Sequence, residues 1–324
     1  MDERPAKQPI PETMLQAIRQ FGDPQVAHDF FVQIRFPNGV ACPRMGCGSA
    51  RVAYLAKVRR WYCNECKRQF SAKVGTIFED SPIGLDKWLP AIWLIASNRN
   101  GISSYEIARG LGVTQKTAWF MLHRIREAMQ SDSFRLFTGT VEADETFIGG
   151  KFDNKPLKVR RKLSKRNWVM EGKTAVFGMV ERPIHGHKGE VRAMTVPSTQ
   201  KATLTPILRR YVHHDATMHT DEARQYQSLL ETFLYHQTVN HSAMEYVRGA
   251  VHTNTIENFW AVLKRTLAGT YISVRPFHLD RYLHEQVCRF NAREEQDGPR
   301  FANVVKRADG RRLTWKALTD KAQS

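Results

Sequence analysis

His252-Thr-Asn-Thr-Ile-Glu-Asn-Phe-Trp-Ala-Val-Leu-Lys-Arg265 is the stretch whose reading decides the fold. As a helix it places Ile256, Phe259, Trp260, Leu263 and the following Leu267 on one apolar face at helical spacing. Thr253 or Asn254 can serve as the N-cap, since a side-chain oxygen there satisfies a backbone N–H without a helical partner. Glu257 and Lys264 are two turns apart along one polar stripe. Alone, such a carboxylate and cation could be a solvated pair. Upstream, however, Asp221 lies in His219-Thr-Asp-Glu-Ala223, with 35 residues between it and Glu257. Asp144 sits on a strand-like run, Val141-Glu-Ala-Asp-Glu-Thr-Phe-Ile-Gly-Gly150. Three carboxylates, the last two so spaced and followed by a lysine, point to a two-metal phosphoryl-transfer site.

Composition sets the bounds. A 324-residue chain with 42% hydrophobic residues can bury a substantial core, as one large domain plus one or two small ones. Its 49 Lys+Arg against 32 Asp+Glu leave a formal charge of +17. That surplus favours polyanion partners, nucleic acid first and membrane surfaces a distant second. The longest apolar stretch, Trp88 to Ala96, is far too short for a membrane span. The opening Met1-Asp-Glu-Arg-Pro5 shows no apolar signal-peptide segment. Of five cysteines, four form two close pairs, which reads as a metal site in a reducing compartment rather than a disulfide framework.

Residues 1–37 read as a helical lead-in, periodic over Met14–Phe21 and again around Phe30. Residues 38–80 carry Cys42, Cys47, Cys63 and Cys66, spaced for a zinc ribbon in which two knuckles clamp one structural Zn²⁺. The alternative is four free buried thiols. Arg51–Leu55 and Arg60–Tyr62 alternate as hairpin strands. Residues 81–135 have helix-turn-helix form: Ile107, Ala108 and Leu111 pack the first helix, Gly112 opens the turn and Val113 is its buried residue. Gln115, Lys116 and Thr117 then begin the helix that a major-groove reader would present. The bland reading is an ordinary helical hairpin.

Residues 136–295 alternate strands and helices, and 296–324 read as a basic polar tail. Strands are expected at Gly139–Ile148, Thr174–Val180, Gly189–Val196, Ala216–Thr220 and Tyr235–Val239. Helices are expected at Thr203–Val212, Ala223–Phe233, the Glu257 stretch and Phe277–Phe290. Between the first two strands, Lys151–Lys173 holds nine Lys/Arg and two acids, either a solvated insertion or a grip on phosphates. Cys288 stands alone and reads as a core residue.

The element order β-β-β-α-β-α-β-α resembles the ribonuclease-H-like plan of DDE transposases and retroviral integrases, an α/β mixed sheet flanked by helices. Three local sequences narrow the resemblance. The Val141–Gly150 run is similar to the first-aspartate block of bacterial insertion-sequence transposases that carry an N-terminal zinc ribbon. His219–Ala223 matches their second block. His252–Arg265 resembles their third, followed here by Gly269-Thr-Tyr271 and Arg289-Phe-Asn291. The ribbon, with Phe70-Ser71 and Gly75-Thr-Ile-Phe78, resembles their leading domain, although the four-residue gap between Cys42 and Cys47 is wider than their usual two.

The resemblance implies DNA cleavage and strand transfer at the ends of an insertion sequence, in the bacterial cytoplasm at the nucleoid. Its partners would be element ends and target DNA, with no membrane, and a homo-oligomer would assemble on the DNA. Two Mg²⁺ (or Mn²⁺) ions would be held by Asp144, Asp221 and Glu257. Lys264, with Arg265 beside it, would hold a DNA phosphate. Asn258 competes as third ligand, but an ionised carboxylate binds Mg²⁺ more strongly than a neutral amide. Glu142 could share a strand face with Asp144, whereas Glu145 would point away. Asp215 and Glu222 read as surface residues, and His219 and His252 as neighbours of the acidic ligands. Two other classes compete: a non-catalytic zinc-ribbon and helix-turn-helix regulator, and a structure-specific nuclease without strand transfer.

Overall fold

The computed structural model describes residues 8–320 apart from 132, 150–172, 185–186, 228 and 240–246. It divides into two compact units: residues up to Gln130 together with those from Glu294 onward, and residues 131–293. Lys151–Lys173, except Lys173 itself, therefore lies outside the described residues. No described helix is long and apolar enough to cross a membrane.

The first unit opens with α1 (Met14–Phe21), started by a reciprocal Thr13–Gln16 capping box, and α2 (Pro24–Arg35), started by the Asp23 side chain. Strands β1 (Val52–Leu55), β2 (Arg60–Cys63) and β3 (Gln69–Phe70) form a small antiparallel sheet. The helix α3 (Leu85–Ser97) buries Trp88, Leu89, Ile92, Trp93 and Ile95 and forms the hub of the unit's core. Next come α4 (Ser104–Leu111) and α5 (Gln115–Met129), separated at Gly112, whose φ of 61° is the left-handed conformation that glycine adopts without steric cost.

Two expectations change in this unit. Val113 is half-exposed, and Ile107 and Ala118 fill the interior of the helix pair instead. The segment read as a polar tail contains a helix, Asp297–Lys306, which buries Phe301, Val304 and Val305. The Phe301 ring lies 5.6 Å from Phe21 and 5.3 Å from Trp93, so this stretch completes the core. Its polar neighbours hide a three-residue apolar stripe that only helical spacing reveals.

In the second unit β4 (Thr140–Ile148), β5 (Thr174–Glu181), β6 (Val191–Val196), β7 (Thr217–Asp221) and β8 (Tyr235–Val239) form one mixed sheet in the order β6-β5-β4-β7-β8. The first three pair antiparallel, while β7 and β8 continue parallel to β4. One face is covered by α6 (Lys201–Tyr211), whose Leu204 and Leu208 share a core with Val141, Ala143, Phe177 and Met179. Against the other lie α7 (Asn254–Thr266) and α8 (Leu279–Asn291), through Ile256, Phe259, Trp260, Leu263, Leu283 and Val287. A central mixed sheet between helical layers is the ribonuclease-H-like plan.

The helix expected over Ala223–Phe233 is replaced by two single 3₁₀ turns, Arg224–Tyr226 and Leu229–Glu231. Tyr226, Leu229 and Phe233 are buried at spacings of three and four, which short 3₁₀ turns satisfy as well as an α-helix does. A small hairpin, β9 (Val247–Arg248) with β10 (Val251–His252), precedes α7 and carries no signal in the sequence.

That hairpin and α7 are held by one residue of β4. Thr253 precedes α7 but gives its N-terminus no side-chain cap; its hydroxyl donates instead to Glu257 Oε1 at 2.7 Å. The free N–H groups of Thr255 and Ile256 donate to Glu142 Oε2 at 2.8 and 2.9 Å, and the Thr255 hydroxyl donates to Oε1 at 2.8 Å. Arg182 Nε completes the set at 2.7 Å. Glu142 is fully buried, and its negative charge sits where the helix dipole is positive. The remaining guanidinium nitrogens of Arg182 donate to the carbonyls of Ala250 and His252 and, at 2.8 Å, to His252 Nδ1. A guanidinium can only donate, so Nδ1 accepts and a neutral His252 carries its proton on Nε2. Further along β4, Asp144 lies opposite Gly178, where an added Cβ would come within 2.5 Å of the Trp260 ring.

Glu142→Gln should destabilise the second unit by about 2–4 kcal/mol in urea unfolding, because the amide removes the charge that Arg182 faces and turns a donor either toward its guanidinium or toward the helix N–H groups, none of which can accept. Gly178→Ala should cost about 1–3 kcal/mol by overpacking against Trp260, read in the same experiment.

Candidate active site and zinc centre

Asp144, Asp221 and Glu257 are delivered by three different elements. In the parallel β4–β7 pair Glu142 is level with His219, and Asp144 and Asp221 each follow two residues further along their strands. Glu257 stands in the first turn of α7, whose position is set by Glu142 on the same face of β4. Each carboxylate is oriented by a nearby donor. Trp260 Nε1 donates to Asp144 Oδ2 at 3.0 Å, the backbone N–H of Ala223 to Asp221 Oδ1 at 3.0 Å, and the Thr253 hydroxyl to Glu257.

Asp144 senses the other two charges. Burial pushes the Asp144 carboxyl up to about 6, and the neighbouring Asp221 and Glu257 push in the same direction. Glu145, on the opposite face of β4 beside Tyr226 and Gln225, is pushed up to about 7 by burial, with Asp144 and Asp221 adding to it. Such crowding of like charge in a partly dry setting favours either protons or a cation. The three oxygen donors suit a hard divalent cation. Their spacing is wider than that of a one-ion cluster. Among the described residues, the groups whose ligand atoms all lie within 4.8 Å of one another are the four cysteines and the trio His213, His214 and Asp215. That trio lies just before β7, six residues ahead of Asp221, and is half to fully exposed.

Glu257, Trp260 and Lys264 follow one another at helical spacings of three and four, so they share a stripe of α7. Asn258 is the next residue round the helix, on a different side. Lys264 and Arg265 are exposed and form no ion pair among the described residues. His219 is buried on β7 level with Glu142, and burial together with Arg182 holds its imidazole below the usual range. Glu222 is exposed.

Of the helix-turn-helix residues, Gln115 donates to the Ser104 hydroxyl at 2.8 Å, and Thr117 shares a 2.8 Å hydroxyl contact with Thr114. The Lys116 ammonium lies over the Trp315 ring, 4.8 Å from its centre. The Gly269-Thr-Tyr271 and Arg289-Phe-Asn291 motifs turn out to be framework. Tyr271 and Arg289 both donate to the buried Glu285, and Asn291 pairs with both backbone groups of Val191 at 2.7 and 3.0 Å. Trp260, Arg182 and Thr253 act on the site without having stood out in the sequence. Trp260 reads there as one more apolar-face residue, although its indole N–H needs a partner when buried.

In the ribbon, Cys42 Sγ lies 3.8 Å from Cys66 Sγ and Cys47 Sγ 3.6 Å from Cys63 Sγ. Four sulfurs bound tetrahedrally at about 2.3 Å from one zinc ion would be separated by roughly 3.8 Å. The thiols thus stand where a structural zinc would hold them and too far apart for disulfides. Backbone N–H groups, chiefly that of Cys66, draw Cys63 down to about 7, whereas burial pushes Cys42 up to about 12. The wide first knuckle closes through Gly46 and Gly48, with φ of 79° and 59°.

Comparison with known proteins agrees with this layout. Residues 137–291 match the family model of the ISXO2-like transposase domain, and residues 22–69 that of the transposase zinc-ribbon domain. A protein of transposable element ISH50 from Halobacterium salinarum is 28% identical over 261 residues, covering 78% of this chain and 86% of its own. A transposase-like protein from Haemophilus influenzae is 36% identical over 107 residues, covering 33% of this chain and 85% of its own. With the ribbon, the mixed sheet and the carboxylate blocks in place, the chain belongs to the insertion-sequence transposases that join a transposase zinc ribbon to an ISXO2-like transposase domain.

Proposed function

We propose that this transposase binds the ends of its element and catalyses metal-dependent DNA cleavage and strand transfer at Asp144, Asp221 and Glu257. The observation that supports this reading is the set of three carboxylates carried by β4, β7 and α7, each accepting a hydrogen bond from a neighbouring donor, with Asp144 pushed up to about 6 chiefly by burial and further by Asp221 and Glu257. Two divalent ions held by such a set supply activation of an in-line nucleophile and stabilisation of the leaving oxygen. The chain's own contribution is placement. Asp144 on β4, Asp221 on β7 and Glu257 on α7 would together hold the ions. The donors Trp260, Ala223 N–H and Thr253 fix one oxygen of each.

Lys264, two turns along the stripe from Glu257, would hold a DNA phosphate beside the carboxylates, with Arg265 next to it. A compact ammonium suits that task because it neutralises charge without competing for the ions. Residues 38–135, the ribbon with the helix-turn-helix region, would serve DNA binding and 136–295 catalysis. Pairing two element ends calls for at least a dimer on the DNA.

The test incubates the zinc-loaded protein with DNA bearing the element's flanking ends and Mg²⁺ or Mn²⁺, beside an Asp221→Asn control. Nicking at the ends and joined products should appear with the wild type and fall by at least about 100-fold in the control. Cleavage that persists in Asp221→Asn would sink the site assignment. Binding without any wild-type cleavage would leave a DNA-binding protein in place of an enzyme. Stripping zinc with a chelator should unfold residues 42–66, visible as lost near-ultraviolet dichroism from Trp61, and weaken DNA binding.

A further inference from the structure

Residues 51–68 of the ribbon carry Arg51, Lys57, Arg59, Arg60, Lys67 and Arg68 against the single acid Glu65, which pairs with Arg51 at 3.4 Å. Lys57, Arg59 and Arg60 cluster at the tip of the β1–β2 hairpin, are exposed, and form no ion pair among the described residues. We infer that this hairpin tip is the surface through which the N-terminal unit grips duplex DNA. The inference rests on the proposed reading as an end-binding transposase and names the part of the chain that does the gripping.

A charge run is usually a solvated face, but this one is built differently. The tip is a 3₁₀ turn, Ala56–Val58, closed by Arg59 in the left-handed region at φ 49°, with Leu55 paired to Arg60 across the strands. Behind it, the buried Trp61 stacks on His28 at 5.7 Å and on Phe70 at 5.8 Å, with Tyr54 at 5.0 Å. Two residues beyond Trp61, Cys63 joins the zinc cluster. The cations are thus presented on a braced two-stranded ribbon, so binding would cost little ordering entropy. Two-stranded ribbons fit the major groove of B-DNA. Tyr54 and Val58, 44% and 57% exposed, lie among these cations. Apolar groups there gain nothing from water but can pack on sugars and base edges.

The competing surface is partly engaged by its own chain. Lys116, Trp119 and Phe120 lie at i, i+3 and i+4, the outward face of α5 that a helix-turn-helix reader lays in the groove. Trp315, at the start of the short helix Trp315–Thr319, contacts all three. Its ring centre lies 4.8 Å from the Lys116 ammonium, 5.9 Å from the Trp119 ring and 5.3 Å from the Phe120 ring. Buried Leu313 and Leu318 anchor it on either side, and Arg124 Nε bonds the Leu313 carbonyl at 3.0 Å. The groove-facing side of α5 is therefore partly packed against its own chain, while the ribbon tip stands open.

The experiment measures binding of the zinc-loaded full-length protein to a labelled duplex of the element end by fluorescence anisotropy across a salt series. The variants are Lys57→Ala/Arg59→Ala/Arg60→Ala, a Lys/Lys version with Arg59→Lys and Arg60→Lys, and Lys116→Ala. Zinc content and thermal melting confirm that each is folded. We expect the triple variant to lose about 10- to 100-fold in affinity and its log–log salt slope to shrink by about two to three. The lysine version should keep most of the slope, and Lys116→Ala should change affinity by less than about twofold. A folded triple variant that binds with wild-type affinity and slope, or a larger loss from Lys116→Ala, would overturn the inference and leave end binding intact. A wild type that does not bind the duplex would overturn both.

Discussion

The second unit depends on where the buried carboxylate of Glu142 finds its partners. A carboxylate removed from water is tolerated only when its lone pairs are met by donors in good geometry. Here four hydrogen bonds from Thr255, Ile256 and Arg182 meet them, and two of these come from the unpaired N–H groups that every helix start exposes. One residue therefore resolves two costs, its own desolvation and the open end of α7. It also fixes a distance. Asp144 is two residues along the same strand and Glu257 lies in the helix turn just beyond the capped groups. The placement of the two acids is thus set by a contact in which neither takes part.

This explains which parts of the molecule are legible in the sequence. The apolar stripe Ile256–Phe259–Trp260–Leu263 can be read because helical spacing is local, and the strand run around Asp144 because alternation is local. Glu142 is ambiguous in that reading: its face is evident, but its partners lie 40 to 114 residues away, and no periodicity reports them. The same holds for Arg182, which looks like a polar residue after a strand and in fact ties Glu142 to the β9–β10 hairpin. Where the reading failed, a local pattern had two solutions. Tyr226, Leu229 and Phe233 fit a helix or successive 3₁₀ turns, and Asp297–Lys306 is so polar between its three apolar residues that composition outweighed spacing. The motifs after the third block carry no role in the sequence reading; Tyr271, Arg289 and Asn291 hold α8 and the edge of β6 through contacts that local spacing does not report.

The ribbon follows a different logic. Its sheet has strands of four, four and two residues, too small to bury a core of its own. Two things substitute for that core: the tetrahedral arrangement of four thiols and the stacking of Trp61 between His28, Tyr54 and Phe70. The family match from residue 22 includes α2, the helix that supplies His28. The boundary expected from cysteine spacing alone began later because a metal site can be read from its ligands, while the helix that braces it cannot.

The carboxylate site, by contrast, works against folding. Asp144 and Glu145 are both raised by burial and by neighbouring charge, so at neutral pH their ionised forms are less comfortable in the fold than in the unfolded chain. Such repulsion survives only where surrounding structure leaves the residues no escape. Here β4 is the middle strand of five and cannot slip without turning every side chain to the other face. Gly178 admits Trp260 so that its indole reaches Asp144, and Glu142 pins the helix that carries Trp260. The Glu142 contacts hold the acids in place, and the Trp260 and Glu145 N–H groups relieve Asp144 only in part. That arrangement suits a site whose missing partners are cations, since any relaxation that spread the carboxylates apart would stabilise the empty protein and weaken its hold on the ions.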